Sequence, residues 1–347
     1  MKALSVIIPT LNEAAVLPAL LVQLSGQRGV ELEVIVADGG SSDGTPALAS
    51  GVTVIAAPRG RAAQMNAGAL AANGQYLLFL HADSALPSPT LLAEALAALR
   101  AQAQLRVAGH FGLRFQREHS GHEYFFRYLE GKTRLNRPGT INGDQGLMLA
   151  RSYFEELGGY DRTLPFFEDQ RIAAKIFAGG RWLLLPGELH TSARRFEAEG
   201  HRARYTLMAM TMGLHAAGAQ EFFAQAPQLY PAQEQAGALD LRPFMQLARR
   251  VIGARGFWKT MRSIGRFVRE NTWQLAYARD VRRGDGELRC LRRFERHAEQ
   301  RLNHILFDLL ATLAVSAWFY LLLPLQTWRR PRPSAAAPRA SGGRPPQ

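Results

Sequence analysis

The sequence predicts an α/β fold, a sheet with helices on both faces, followed by a helical C-terminal region of different character. Short apolar runs alternate with helix-spaced segments through the first 90 residues, and three of those runs stop at polar residues, Pro9-Thr10, Asp38 and Asp83. Charge then shifts along the chain: residues 1–240 hold 21 Lys/Arg against 22 Asp/Glu, whereas residues 241–347 hold 21 against 7.

"LSVIIPT" has the pattern of a buried strand, and "NEAAVLPALLVQL" follows with helical spacing; Asn12 is the expected helix N-cap and Glu13 suits its first turn. "LEVIVAD" is a second strand ending in Asp38, "GGSSDGT" a turn opening a short helix, and "GVTVIAAP" a third strand. "GRAAQMNAGALAAN" is a helix rich in small residues, and "QYLLFLHAD" is a fourth strand. Such alternation implies a parallel sheet, in which ligands sit at the carboxyl ends of the strands. That rule puts Pro9-Thr10, Asp38 and Asp83 on one rim. No G-x-G-x-x-G follows the first strand and no G-x-x-x-x-G-K-[ST] occurs anywhere, so the common dinucleotide and P-loop readings lose their main support.

Further on, Glu168-Asp169 opens a helix after an aromatic loop in "LPFFEDQRIAAKIFAGGRWLLLP". Adjacent acids at a helix start complement its dipole or do chemistry. "NGDQG" precedes another strand; Asp144 and Gln145 either form a turn or contact a substrate.

Taken in order, "SVIIPTLNEAAVLPALLVQL", "EVIVADGGSSDGT", "GRAAQMNAGALAANGQYLLFLHADSALP", "NGDQGLMLARSYFEELGGYDRTLPFFEDQRIAAKI" and "ARRF" resemble an inverting family 2 glycosyltransferase of the GT-A fold. The chain is especially similar to the radical-SAM/selenodomain-associated transferase 2 subgroup. The resemblance covers about the first 220 residues and implies a mixed GT-A sheet, a nucleotide-sugar donor and a divalent cation, Mn2+ or Mg2+. It implies that Pro9, Asn12, Glu13 and Arg61 line the donor pocket and that Asp38 meets the base. Asp83 matches the metal-binding acid of the D-x-D motif, and Asp169 matches the catalytic base, with Glu168 beside it. Arg194 and Arg195 resemble the basic residues that meet the diphosphate or acceptor, and Asp144 and Gln145 fall on the acceptor side.

Two positions depart from the pattern. Asp38-Gly39 stands where many members have two acids, and His81 stands where D-x-D has its first. His81 either coordinates the cation, which favours manganese, or hydrogen-bonds the donor while Asp83 holds the cation. His190 is either a third ligand or a solvated loop histidine. The departure at His81 leaves a second function open, a non-catalytic membrane-bound scaffold that binds nucleotide. A nucleotidyltransferase lacks its Gly-rich basic loop here.

The organisation expected is a catalytic domain over residues 1–225, a basic amphipathic helical region at 226–303, a transmembrane or in-plane segment at 304–328 and a disordered basic Pro/Ala/Gly tail at 329–347. Phe244, Leu247 and Val251, then Trp258, Met261, Ile264 and Val268, recur at three- and four-residue spacing among arginines, with Gly253 and Gly256 dividing two helices. From Leu309 to Trp328 no residue is charged, and about 20 such residues can cross a bilayer as a helix. Membrane lipids are therefore the expected partner of the C-terminal third, a lipid-linked acceptor fits that setting, and nucleic acid is not expected. Cys290 is the only cysteine, and the apolar stretch before Pro9 is too short for a signal peptide, so the catalytic part is expected on the cytoplasmic side of the cell membrane.

Overall fold

Strand β1 (Leu4–Thr10) shows what places the sheet: Leu4, Val6 and Ile8 point to one face, Ser5 and Ile7 to the other, and all five are fully buried. A strand buried on both faces is an interior strand. The computed structural model in which it lies describes residues 2–163, 166–230 and 237–328; the tail expected at 329–347 falls outside them.

After β1 come α1 (Leu17–Ser25), β2 (Leu32–Asp38), α2 (Thr45–Leu48), β3 (Thr53–Ala56), α3 (Arg61–Ala71), β4 (Tyr76–Phe79) and α4 (Leu91–Arg100). Then follow β5 (Val107–Gln116), α5 (Glu123–Lys132), a 3-10 turn at Gly143–Gln145, β6 (Leu147–Ala150), α6 (Arg151–Glu156), α7 (Glu168–Gly179) and β7 (Arg181–Ser192). The sheet order is β3-β2-β1-β4-β6-β5-β7. It is parallel from β3 to β4 and between β5 and β7, and β6 runs antiparallel to both neighbours, which makes it the mixed sheet of the expected fold. One core packs Leu78, Leu80 and Met148 against α1 and α4, and the other packs Leu77, Phe79 and Leu149 against α3 and α7.

Two boundaries differ from the sequence reading. Helix α1 begins at Leu17 with Val16 as its N-cap, so Asn12 is not a cap; it sits in the loop before the helix with φ 58°. The cause is local: Pro18 suits the first turn, and residues 12–14 spend their N–H groups on side chains of the loop after β2. Strand β4 stops at Phe79, and Asp83 lies beyond it in the turn closed by Ser84 N–H donating to His81 O at 3.1 Å.

The remaining helices are α8 (Arg194–Glu199), α9 (His201–Ala216), α10 (Gln220–Gln225), α11 (Arg242–Ala254), α12 (Phe257–Glu270), α13 (Trp273–Arg283), α14 (Arg289–His297), α15 (Glu299–Leu302), α16 (Ile305–Ala317) and α17 (Leu323–Trp328). The described residues divide into two compact units, and no single cut separates them: those within 1–194 and 273–296 form the first, those within 195–272 and from 297 onward the second. In the first, Tyr277 Oη donates to Tyr128 O at 3.1 Å, Arg137 pairs with Glu295 at 2.5 Å, and Arg137 lies over the Trp273 ring at 4.8 Å. In the second, α12 packs tightly on α16, where a Cβ at Gly265 would meet Thr312 Oγ1 at 2.3 Å. Arg269, itself buried, holds Asp308 at 2.6 Å at the start of α16. Helices α16 and α17 join through a π-helical turn at Trp318–Leu322, so that Ile305–Thr327 is one apolar helix of 23 residues, long enough to cross a membrane, with mean hydropathy 2.0 over an 18-residue stretch.

The small residues of α3 are explained by its approach to β1. A Cβ at Gly68 would stand 2.4 Å from Ile7 Cγ2 in the core. Overpacking there costs about 1–3 kcal/mol and the helix propensity of alanine returns up to about 1. Gly68→Ala is therefore expected to lower the midpoint of urea unfolding, and an unchanged or higher midpoint would show that α3 can shift freely.

Candidate functional site

The loops at the carboxyl ends of β1 and β2 are sewn together by side chains. Asn12 N–H donates to Ser41 Oγ at 2.8 Å and Asn12 Oδ1 accepts from Ser42 N–H at 2.8 Å. Glu13 N–H donates to Thr45 Oγ1 and Ala14 N–H to Asp43 Oδ2. Asp38, 7% exposed, accepts from the Gly40 and Ser41 N–H groups and from the Ser41 and Thr10 hydroxyls. Burial works to raise its pKa, but these hydrogen bonds outweigh it and hold the carboxyl below its ordinary value. Asp38 thus shapes the loop as well as ending on the rim, and Pro9 continues β1 beside Ala37.

Gln64, a buried polar residue of α3, ties the two strand ends together: its Nε2 donates to Thr10 O at 2.6 Å and to Ala37 O at 2.9 Å. A Cβ at Gly39 would come within 3.0 Å of that carboxamide. This accounts for glycine at the position where the family resemblance has a second acid.

The acid pair stands opposite. Phe167, with φ 66°, turns the chain into α7. Glu168 is buried, 3.2 Å from Arg61 Nη1, while the Arg61 side chain is half-exposed at the start of α3. Arg61, placed by the resemblance in the donor pocket, thus lies against the acid pair. Asp169 Oδ2 accepts from Gly143 N–H at 2.9 Å and Oδ1 from Gln170 N–H at 2.7 Å. Burial first, and the Glu168 charge second, raise the Asp169 pKa above the ordinary aspartate value. Tyr160 packs nearby; burial and the charges of Glu168 and Asp169 push its hydroxyl well above its usual range.

The turn that holds Asp169 also holds His81. Asp144, 54% exposed, has its Oδ1 2.9 Å from His81 Nδ1. A carboxylate only accepts, so Nδ1 carries a hydrogen and Nε2 is the ring nitrogen left for another partner. That nitrogen faces Gly143, where a Cβ would come within 3.0 Å of it. Gln145 differs from its neighbour: it is fully buried, and its carboxamide is bonded to His110 and Thr140 O. It supports the turn and presents nothing to an acceptor.

His190 reaches the same loop through its backbone, which exchanges two hydrogen bonds with Ala85 at 2.8 and 2.9 Å; its Nε2 lies 3.6 Å from Glu188 Oε1. Among the described residues, His81, Asp83 and His190 do not present three ligand atoms within 4.8 Å of one another. Asp83 is exposed on its turn, an oxygen donor of the type Mg2+ and Mn2+ take. The donor set suits a cation held by Asp83 and by oxygens of a bound substrate. Arg194 and Arg195, both exposed, open α8; Arg194 ends the first unit and Arg195 begins the second.

Several supporting residues escaped the sequence reading. Gln64 is one, and Gln170, whose Nε2 donates to Ile141 O and Asn142 Oδ1, is another. Asn66 staples the loop before the acid pair, donating to Tyr160 O and accepting from Tyr160 N–H. The double glycine of "GGY" was the available signal, since a Cβ at Gly159 would meet Asn66 Oδ1 at 2.8 Å.

Residues 5–158 match the family described as Glycosyl transferase family 2, a span that takes in Asp38, His81, Asp83 and Asp144 and ends ten residues before Glu168. Glycosyltransferases named for PGL/p-HBAD biosynthesis in Mycobacterium tuberculosis and Mycobacterium bovis are 40% identical over 102 residues, 26% of this chain. The match spans 38% of those relatives' own length. Among solved structures, a mannosyltransferase from Pyrobaculum calidifontis in complex with GDP-Man and Mn2+ is similar with TM-score 0.48 and 20% identity, over 94% of this chain and 83% of that one. S. aureus TarS 1-349 in complex with UDP is similar with TM-score 0.48 and 15% identity, over 85% of this chain and 91% of that one.

The loop clamp makes a prediction about Asn12. Its left-handed backbone strains a residue with a Cβ by about 1–2 kcal/mol, and its Oδ1 accepts from Ser42 N–H, a bond worth about 1 kcal/mol, and more weakly from Ser42 Oγ. Asn12→Ala loses the bond and keeps the strain, whereas Asn12→Gly loses the bond and relieves it. Chemical unfolding should show the alanine variant to be the less stable of the two.

Proposed function

We infer, from the match of residues 5–158 to glycosyl transferase family 2, that the chain is a metal-dependent inverting glycosyltransferase. It moves a sugar from a nucleoside-diphosphate donor to a hydroxyl or phosphate acceptor at the cytoplasmic face of the membrane. The observation that carries this reading is the joining of Asp169, Gly143, Asp144 and His81 by hydrogen bonds at one end of the sheet, with Asp38 and Asp83 on the same rim.

The donor's nucleoside lies against the sewn loops of β1 and β2, lined by Pro9, Asn12, Glu13 and Asp38. Asp83 would hold a divalent cation, which when bound would supply positive charge to offset that growing on the diphosphate. Asp169 takes the proton of the acceptor hydroxyl as its oxygen bonds to the anomeric carbon. The glycosidic C–O bond breaks in the same displacement, its electron pair leaving on the diphosphate, so configuration inverts. Two N–H donors fix the Asp169 carboxylate and leave each oxygen a second lone pair for that proton. Arg61, anchored by Glu168, and the exposed Arg194 supply positive charge for the departing diphosphate.

Membrane attachment is supported by the apolar helix Ile305–Thr327, whose Leu309, Leu313, Leu321 and Leu325 are exposed, and by the arginine-rich α11 and α12. An enzyme held there meets lipid-linked acceptors. Organic extraction after incubation of membranes with a radiolabelled sugar nucleotide checks this: label in the organic phase is expected, and label confined to water excludes a lipid acceptor.

Two variants test the chemistry. Asp169→Asn should keep donor affinity and lose about 10²–10⁴-fold in transfer rate. Asp83→Ala should abolish the metal dependence of donor binding in calorimetry, and affinity unchanged with and without metal removes Asp83 from that role. The pH profile follows from the raised Asp169 pKa. A base must be deprotonated, so activity falls as pH drops through that raised value, and the acid limb lies above the ordinary aspartate pKa of about 3.9. A limb at or below that value would separate the rate from Asp169.

One observation favours a second reading: His81 stands where the resemblance has an acid. A membrane-bound nucleotide-binding scaffold would bind donor without turnover. Manganese-supported hydrolysis of a sugar nucleotide excludes it.

A further inference from the structure

Beneath the turn Gly143–Gln145 lies a titratable group that the proposed chemistry does not use. His110, on β5, is fully buried; its Nδ1 is 2.9 Å from Gln145 Oε1 and its Nε2 2.6 Å from Asn136 Oδ1. Both carboxamides are oriented by a second bond, Gln145 Nε2 donating to Thr140 O at 2.7 Å and Asn136 Nδ2 to Trp182 O at 3.3 Å. Turning either amide round would set two oxygens against each other. Oxygen therefore faces the ring from both sides, and an amide oxygen only accepts. A neutral imidazole has one N–H; this arrangement calls for two.

We propose that His110 is a positioning residue whose second proton closes a clamp on the turn Gly143–Gln145. The turn so held is the one whose Gly143 N–H bonds Asp169 and whose Asp144 bonds His81. With one proton, His110 satisfies one oxygen and must release the other, because a lone pair and an amide oxygen repel at these distances. The groups that face His110 are the Gln145 amide from the turn, the Asn136 amide from the segment after α5, the Trp182 ring edge-on from β7 and the Phe111 carbonyl on β5 itself; none is charged. Burial pushes the imidazole below its ordinary value while the three oxygens act the other way. The closed clamp therefore belongs to the acid side, and the open one to the alkaline side. Asp169 works in the opposite sense, gaining its basic form as pH rises.

Selective 15N-histidine labelling of the full chain and long-range 1H–15N correlation from pH 5.5 to 8.5 read the ring nitrogens directly. The His110 signal is the one lost in His110→Gln or, should that variant not fold, the one displaced in Gln145→Glu. Two pyrrole-like nitrogens are expected at the acid end, one turning pyridine-like as pH rises, with the His81 signals moving at the same midpoint. Two pyrrole-like nitrogens that persist to pH 8.5 overturn the opening of the clamp on the alkaline side. A pyridine-like nitrogen that persists to the acid end overturns it, as do His81 signals that ignore the loss of the proton. A kinetic arm rests on the proposed transferase: the alkaline limb of its rate profile should move or vanish in His110→Gln, and identical limbs count against the clamp. If no donor is turned over, that reading fails while the nitrogen signals still decide the clamp.

Discussion

A single hydrogen bond, Gly143 N–H to Asp169 Oδ2, ties the start of α7 to the segment that precedes β6. Through it the acid at one helix terminus is placed by a turn 26 residues earlier in the chain, and through Asp144 the same turn orients His81 after β4. Gln170 adds two further bonds from α7 to Ile141 and Asn142. The groups read as base and as donor-side ligand are thus not set independently. A displacement of the turn moves both, in the way an off-register scaffold spoils a site whose residues are all present.

Glu168 and Asp169 show how two adjacent acids are tolerated at this depth. An ionised carboxylate removed from water needs a partner, and Glu168 has Arg61. Asp169 accepts from two N–H donors, yet burial first and the Glu168 charge second leave its carboxyl giving up its proton less readily than an exposed aspartate. The helix terminus, often an explanation for paired acids on its own, here supplies part of the stabilisation and the arginine another part.

The first four strands were legible because each is a mainly apolar run between Gly- or Asp-containing turns, and Thr10 and Asp38 end β1 and β2 on the rim where strand polarity puts them. The break between α11 and α12 was legible from Gly253 and Gly256. The start of α1 was not, because the loop before it is held by tertiary bonds to residues 41–45, which no local propensity encodes. Gln64 was hidden for a related reason: a glutamine in an alanine-rich helix reads as a solvent-facing residue, and only the strand ends it bridges show it to be interior. Gln145 misled in the opposite sense, adjacent to an exposed aspartate and itself enclosed.

Residues 273–296 belong to the unit built from residues 1–194, and through Glu295 and Trp273 they brace Arg137, the neighbour of Asn136. Such a unit is discontinuous in time as well as in sequence. Domains fold as they leave the ribosome, and the sheet of the first 194 residues can assemble early, but its last brace arrives only after the intervening 195–272 has been made. Only the short α15 (Glu299–Leu302) then separates that brace from the apolar helix that starts at Ile305. The last brace of the sheet unit and the most apolar helix of the described residues therefore emerge close together in synthesis.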